Sequence, residues 1–286
     1  MSQLQSMTGQ GSARGESAGI RVQIECRSLN GRYLKTQLRV GDTLRGYEAE
    51  IEKRIRKVVH RGTVSVSVRV EHTEPSALVA VDEDVVRAYK AVFARLDDPL
   101  HTIPTLPGVL GGGIKELSAE QLTIVNAALD EALEAMRLMR EREGAAIGRH
   151  LLELVDSIEV GRLRIAERAP EVVREYRDRL SDRIASLLEG TRVELDATTL
   201  SREVALYASR ADVTEEVERI EGHLQQIRDA LASGEPAGRT LDFLGQELHR
   251  EINTVGSKSA DRELASIVIA LKTAVDRFKE QVANVQ

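Results

Sequence analysis

Apolar residues fall on every second position in three short runs near the N-terminus and at three- and four-residue steps over most of the remaining chain. That switch of period restricts the fold to a small sheet followed by a helical body. In Arg21-Val22-Gln23-Ile24-Glu25-Cys26-Arg27 apolar and polar residues alternate, as in a half-buried strand. Leu34, Thr36, Leu38 and Val40 repeat the pattern, as do Val64, Val66, Val68 and Val70, while the opposite faces carry Arg21, Arg27, Lys35, Arg39 and Arg69. Between the second and third runs, Leu44, Tyr47, Ile51, Ile55 and Val58 predict an amphipathic helix over Leu44 to His60, with Lys53, Arg54, Arg56 and Lys57 outward. The expected class is α+β: an N-terminal antiparallel sheet with a helix, then a mostly α-helical body ending in a C-terminal helical region.

A further helix is expected from Asp82 to about Asp97. The segment from Asp98 to Ser118 holds three of the six prolines and Gly111-Gly112-Gly113, so it reads as a long loop. From Ala119 to Glu189 the pattern is helical, with breaks expected near Gly144 and Pro170. Three regions result: 1–118, a head with its Pro/Gly loop; 119–200, a helical scaffold and oligomerisation region; and 201–286, a C-terminal helical region that carries the candidate site.

The charges separate along the chain. Residues 1–72 hold 13 of the 40 Lys and Arg but only 7 of the 46 Asp and Glu, leaving 27 basic and 39 acidic residues beyond them. The head is therefore net positive and suits a polyanion, although the whole chain is net −6. With one cysteine, Cys26, neither an intrachain disulfide nor a cysteine-based zinc cage can form. Aromatics make up 3% and tryptophan is absent, which argues against an aromatic-lined small-molecule pocket. No stretch has the length or apolarity of a signal peptide or membrane span, so the expectation is a cytoplasmic protein without a membrane partner.

Side chains suited to chemistry gather in the last third. Val213, Val217, Ile220, Leu224, Ile227 and Leu231 form a core seam, and one position earlier at each step stand Asp212, Glu216, Arg219, His223 and Gln226. Glu216 and His223 are about 10 Å apart along a helix, so a second helix must complete any metal site. From Gly238 to Thr254, Leu241, Leu244, Leu248 and Ile252 are apolar, Asp242, Gln246, Arg250 and Asn253 form a polar stripe, and Glu247 and Glu251 share a face one turn apart. Acids on facing helices suit a hard divalent cation. Simpler readings compete: Asp212-Val213-Thr214-Glu215 has the capping-box pattern, Glu216 with Arg219 and Glu247 with Arg250 are ordinary helix-surface pairs, and a lone histidine is more often a polar-face residue than a catalyst. Asn30-Gly31 is a common hairpin dipeptide.

The run Gly238-Arg239-Thr240-Leu241-Asp242-Phe243-Leu244-Gly245-Gln246-Glu247-Leu248-His249-Arg250-Glu251-Ile252-Asn253-Thr254-Val255-Gly256-Ser257-Lys258 resembles the C-terminal motif of the YicC family of bacterial endoribonucleases. Arg210, Asp212, Glu215, Glu216, Arg219 and His223 fit the same pattern, and Ser6-Met7-Thr8-Gly9 with Glu25 to Leu34 resemble the family's N-terminal motifs. The resemblance implies a divalent-metal-dependent endoribonuclease that forms a ring-like homo-oligomer, a homohexamer, and cuts single-stranded or loosely structured RNA. On this reading Mn²⁺ or Mg²⁺ is held by Glu216, Asp242, Glu247 and Glu251. His223, Glu247 and Lys258 are catalytic, with His223 shuttling a proton. Arg219, Arg250 and Lys258 meet charge developing on the phosphate, and Arg27, Asn30, Arg32, Tyr33 and Arg239 bind the RNA backbone together with Arg219 and Arg250. No small-molecule cofactor is expected. The alternative is a non-catalytic RNA-binding oligomer or adaptor.

Overall fold

The structure is a computed structural model, and it describes residues 4–31, 33–73, 82–96, 107, 109, 117–189, 197–233 and 236–285. These form two compact units, one of Met7–Arg140 and one combining the residues up to Ser6 with those from Glu141 onward. The loop expected over 98–118 and Arg32 lie largely or wholly outside the described residues.

The first unit is built on four strands, β1 (Gly9–Ser17), β2 (Ile20–Leu29), β3 (Lys35–Val40) and β4 (Thr63–His72), in the order β1-β2-β4-β3. β1 pairs with β2, and β2 with β4, antiparallel. The last pairing departs from the antiparallel expectation: β3 runs parallel to β4, from Lys35 opposite Thr63 to Val40 opposite Val68. The reason is topological, because α1 (Glu48–Val58) lies between them and carries the chain back before β4 begins. The alternation fails to reveal β1, whose inward positions are Gly9, Gly11, Ala13 and Gly15 rather than large apolar residues.

Ile20, Val22, Ile24 and Cys26 of β2 and Val64, Val66 and Val68 of β4 point inward and are fully buried or nearly so. They pack with Ile51 and Ile55 of α1 and with Val125, Leu129, Leu133 and Met136 from the first part of α3 (Ala119–Leu188). Polar contacts fix α1 against α3: the Tyr47 hydroxyl hydrogen-bonds the Asn126 side chain, and Arg54 donates to both Asp130 oxygens at 2.6 and 2.8 Å. The helix expected from Leu44 is split, since Asp42–Leu44 is a 3-10 turn and α1 starts at Glu48. The outer face of the sheet shows the expected Arg21, Arg27, Lys35, Arg39 and Arg69, interleaved with Glu16, Glu25 and Glu71. Arg21 is paired with Glu16 at 2.9 Å. α2 (Glu83–Leu96) follows the predicted helix from Asp82 to Asp97.

The second unit is helical: the rest of α3, then α4 (Ala197–Ala211), α5 (Thr214–Ala232), α6 (Gly238–Lys258) and α7 (Arg262–Val282). α3 does not break at Gly144 or Pro170. Pro170 removes one N–H, leaving the Ala166 carbonyl without its usual helical partner, and the helix continues through that single loss. Gly144 serves proximity rather than termination, because a Cβ there would lie 1.9 Å from the Leu4 carbonyl oxygen. The core joins Leu151, Val155, Ile158 and Ile165 of α3 to the apolar stripes of α5, α6 and α7. Arg168 clasps it from the side, donating to Asp261 at 2.9 Å and Glu175 at 2.6 Å, while Asp261 caps α7 by accepting from the Leu264 N–H. No described helix is long and apolar enough to cross a membrane.

Candidate metal centre on α5 and α6

The core seam read from the sequence is buried at Val213, just before α5, at Val217, Ile220, Leu224 and Ile227 on α5, and at Leu241, Leu244, Leu248 and Ile252 on α6, with Leu231 only partly so, and Val255 extends it. Burying these stripes against each other fixes which flanks of the two helices meet. The helices run antiparallel, since Glu216 near the start of α5 meets Lys258 at the end of α6. Asp212 stands just before α5 and accepts hydrogen bonds from the Thr214 N–H and hydroxyl, which hold its carboxyl below the usual range. The reciprocal half of the capping box is missing, because Glu215 turns outward to Arg219.

Three polar groupings follow one another along this flank. At one end the Lys258 ammonium bonds Glu216, whose side chain is 6% exposed. Next, Arg219 bridges Glu215 and the buried Glu251, approaching the latter at 3.5 Å, and the two carboxylates raise its already high pKa. Then His223, Glu247 and Glu251 converge, each offering a donor atom within 4.8 Å of the other two.

This triad fits a divalent cation on two independent grounds. An imidazole nitrogen with two carboxylates is a mixed donor set of the kind that borderline divalent ions accept. In addition, Nδ1 of His223 is buried with no hydrogen-bond partner, an arrangement that forfeits its water and gains nothing within the protein alone.

Of the four acids expected at a metal, the structure brings together Glu247 and Glu251. Glu216 is occupied by Lys258. Asp242 is exposed and accepts from Gln246 Nε2; five residues from Glu247, it lies about 140° round the helix. His223, expected as a proton shuttle, stands beside Glu247 and Glu251 in the group of side chains that could hold a metal ion. Lys258 lies on the same flank, 33% exposed at its side chain, and Arg250 is 3.6 Å from Glu247. Arg239 is exposed in the first turn of α6. In the other unit Arg27 projects from the outer face of β2, with Asn30 and Tyr33 exposed just beyond it. The sequence did not reveal the Arg219–Glu251 pair, which spans two helices and leaves no periodic trace.

Comparison with known proteins bears on the whole chain. The family described as endoribonuclease YicC-like matches through its N-terminal region over residues 4–149 and through its C-terminal part over residues 165–286. A protein of Clostridioides difficile (strain 630) named "Probable endoribonuclease YicC" is 28% identical, covering 98% of this chain and 99% of its own length. A Haemophilus influenzae protein of the same name is 29% identical over 92% of each chain.

Proposed function

Since the chain belongs to the YicC-like endoribonuclease family, we propose that it is a divalent-metal-dependent endoribonuclease acting on single-stranded or loosely structured RNA, with the metal held by His223, Glu247 and Glu251. The convergence of those three side chains carries the reading, together with the buried Nδ1 of the same histidine, which has no hydrogen-bond partner. Mn²⁺ suits one nitrogen and two carboxylates better than Mg²⁺, which favours oxygen alone. Such an ion supplies Lewis-acid polarisation of a phosphodiester and lowers the pKa of a bound water.

The protein's own groups divide the remaining work. Arg219, half-exposed between Glu215 and Glu251, and Arg250 beside Glu247 offer positive charge to the phosphate and its developing negative charge. Lys258 neutralises buried Glu216 and fixes the ends of α5 and α6, so it positions the site and leaves Glu216 as its counter-ion rather than a ligand. Arg27, Asn30 and Tyr33, with the cations of the outer sheet face, hold RNA chiefly by sequence-independent phosphate attraction. Homohexamer formation belongs to the same proposal. It is supported by α2, which is amphipathic yet buries none of Val85, Val86, Tyr89 or Phe93 fully.

The deciding experiment incubates the purified chain with end-labelled single-stranded RNA in Mn²⁺, in Mg²⁺ and in EDTA. Internal cleavage with metal, none in EDTA and none with a folded Glu247→Ala variant is the expected result. Binding without cleavage in every metal overturns the enzymatic reading and selects the RNA-binding adaptor.

A further inference from the structure

Phe243 is 59% exposed on α6, although burying a phenylalanine is among the more stabilising things a helix can do. Of the other two phenylalanines, Phe278 is completely buried and Phe93 partly so. Single exposed apolar residues are common on proteins; the position of this one carries the argument. Arg239, Phe243 and Glu247 recur at four-residue intervals on α6, each about 40° round the helix from the last, so they form a slowly turning row that leads from the exposed surface to Glu247 beside the buried Glu251. Each step advances about 6 Å. The order is therefore a cation, an aromatic ring, and then two donors of the candidate metal centre.

We propose that Phe243 is a stacking platform for the nucleobase next to the phosphate bound at the metal centre, with Arg239 receiving a phosphate further along the strand. The inference rests on the nuclease reading of the triad and adds to it a base subsite. Arg239 and Glu247 are about 12 Å apart along α6, further than one phosphate-to-phosphate step but within the span of a short extended single strand whose base turns aside onto the ring between them. A phenyl ring offers a π-face to any base but no hydrogen bonds, so the subsite prefers unpaired nucleotides without reading sequence. A paired base reaches the ring only after it is unpaired and unstacked, at a cost of a few kcal/mol, so this one side chain would favour single strands.

The absence of tryptophan makes the test direct. F243W carries the protein's sole indole, and its fluorescence reports on the ring at this position. It is titrated with a short single-stranded oligoribonucleotide and, separately, with an abasic ribose-phosphate oligomer of the same length, using Mg²⁺ because paramagnetic Mn²⁺ quenches by itself. Quenching by the first and not by the second is expected, as is a fall in kcat/KM of about 5- to 150-fold in F243A, with F243Y close to the parent. An indole whose emission RNA leaves unchanged overturns the proposal, whether or not RNA is cleaved. So does an F243A variant that dissociates the assembly while cleaving at the parent rate, because the ring would then belong to a subunit contact. Quenching without any cleavage would retain the base subsite and remove the nuclease reading.

Discussion

Lys258 Nζ sits 2.8 Å from one carboxylate oxygen of Glu216 and 3.0 Å from the other, so one ammonium neutralises a carboxylate that is almost wholly removed from water. Removing the cation strands that charge. Lys258→Met is expected to cost roughly 1–3 kcal/mol in urea unfolding, the lower part of the range reflecting the partial exposure of Lys258. The Glu216→Gln, Lys258→Met double variant should recover part of the loss, and a double variant less stable than either single one would show that the pair does not act as a unit.

Metal binding should be visible without an activity assay. Titrating Mn²⁺ onto the folded protein is expected to raise Tm, since an ion at one hundred times its Kd adds about 2.7 kcal/mol. His223→Ala and Glu247→Gln should abolish the rise, whereas Asp242→Asn should keep it. Loss of the shift in Asp242→Asn alone would move the centre to the other side of α6.

Acid should loosen the clasp on α7. Hydrogen bonds from Arg168, and then from the Leu264 N–H, hold the Asp261 carboxyl below its unfolded value against the opposing effect of burial. A depressed folded pKa means that the contribution is complete above the unfolded pKa of about 3.9 and is lost as pH falls toward the folded one. Asp261→Asn keeps a good cap but loses the charge, so its deficit against the parent should be constant from neutrality to about pH 5 and shrink below about pH 4. Urea midpoints at several pH values measure it; a deficit that grows in acid would contradict the assignment.

Two glycines should respond to alanine with opposite signs. Gly144→Ala puts a methyl group into the Leu4 backbone and should destabilise by about 1–3 kcal/mol. Gly222→Ala, inside α5 with nothing within 4 Å of the new methyl, should stabilise by about 1 kcal/mol. Denaturant unfolding of both variants provides the check.

Cys26 is fully buried between strands and α3, and desolvation pushes its thiol pKa up to about 12. The thiolate is the reactive form, so Ellman's reagent at pH 8 should find no thiol in the native protein and one per chain in denaturant. Rapid native labelling would mean that the strand opens on the timescale of the assay.

The strands β2, β3 and β4 were legible because Ile20 to Cys26 and Val64 to Val70 bury alternate side chains, and period two has no other common cause. β1 was not, because its inward positions are nearly all glycine. The stripes of α5 and α6 were equally plain, and with them the idea that acids and His223 border a shared core. The pairing of these groups was less accessible. Asp242 and Glu247 look like neighbours in sequence, yet five residues turn them to different flanks of α6. Glu216 qualified as a ligand until its partner from the other helix was known. At Pro170 a local rule predicted a break, and packing of α3 on both sides of the proline outweighed the loss of one hydrogen bond.

The sheet order leaves β3 as an edge, with one row of its backbone donors and acceptors unpaired by any described strand. It is only six residues long, and Lys35 and Arg39 stand on its outer face. A second copy approaching edge to edge would bring like charges together along a very short ladder. The cations of β3 thus protect the sheet from templating its own growth. This duty needs no ligand, and it would persist in a chain that had lost His223, Glu247 and Glu251.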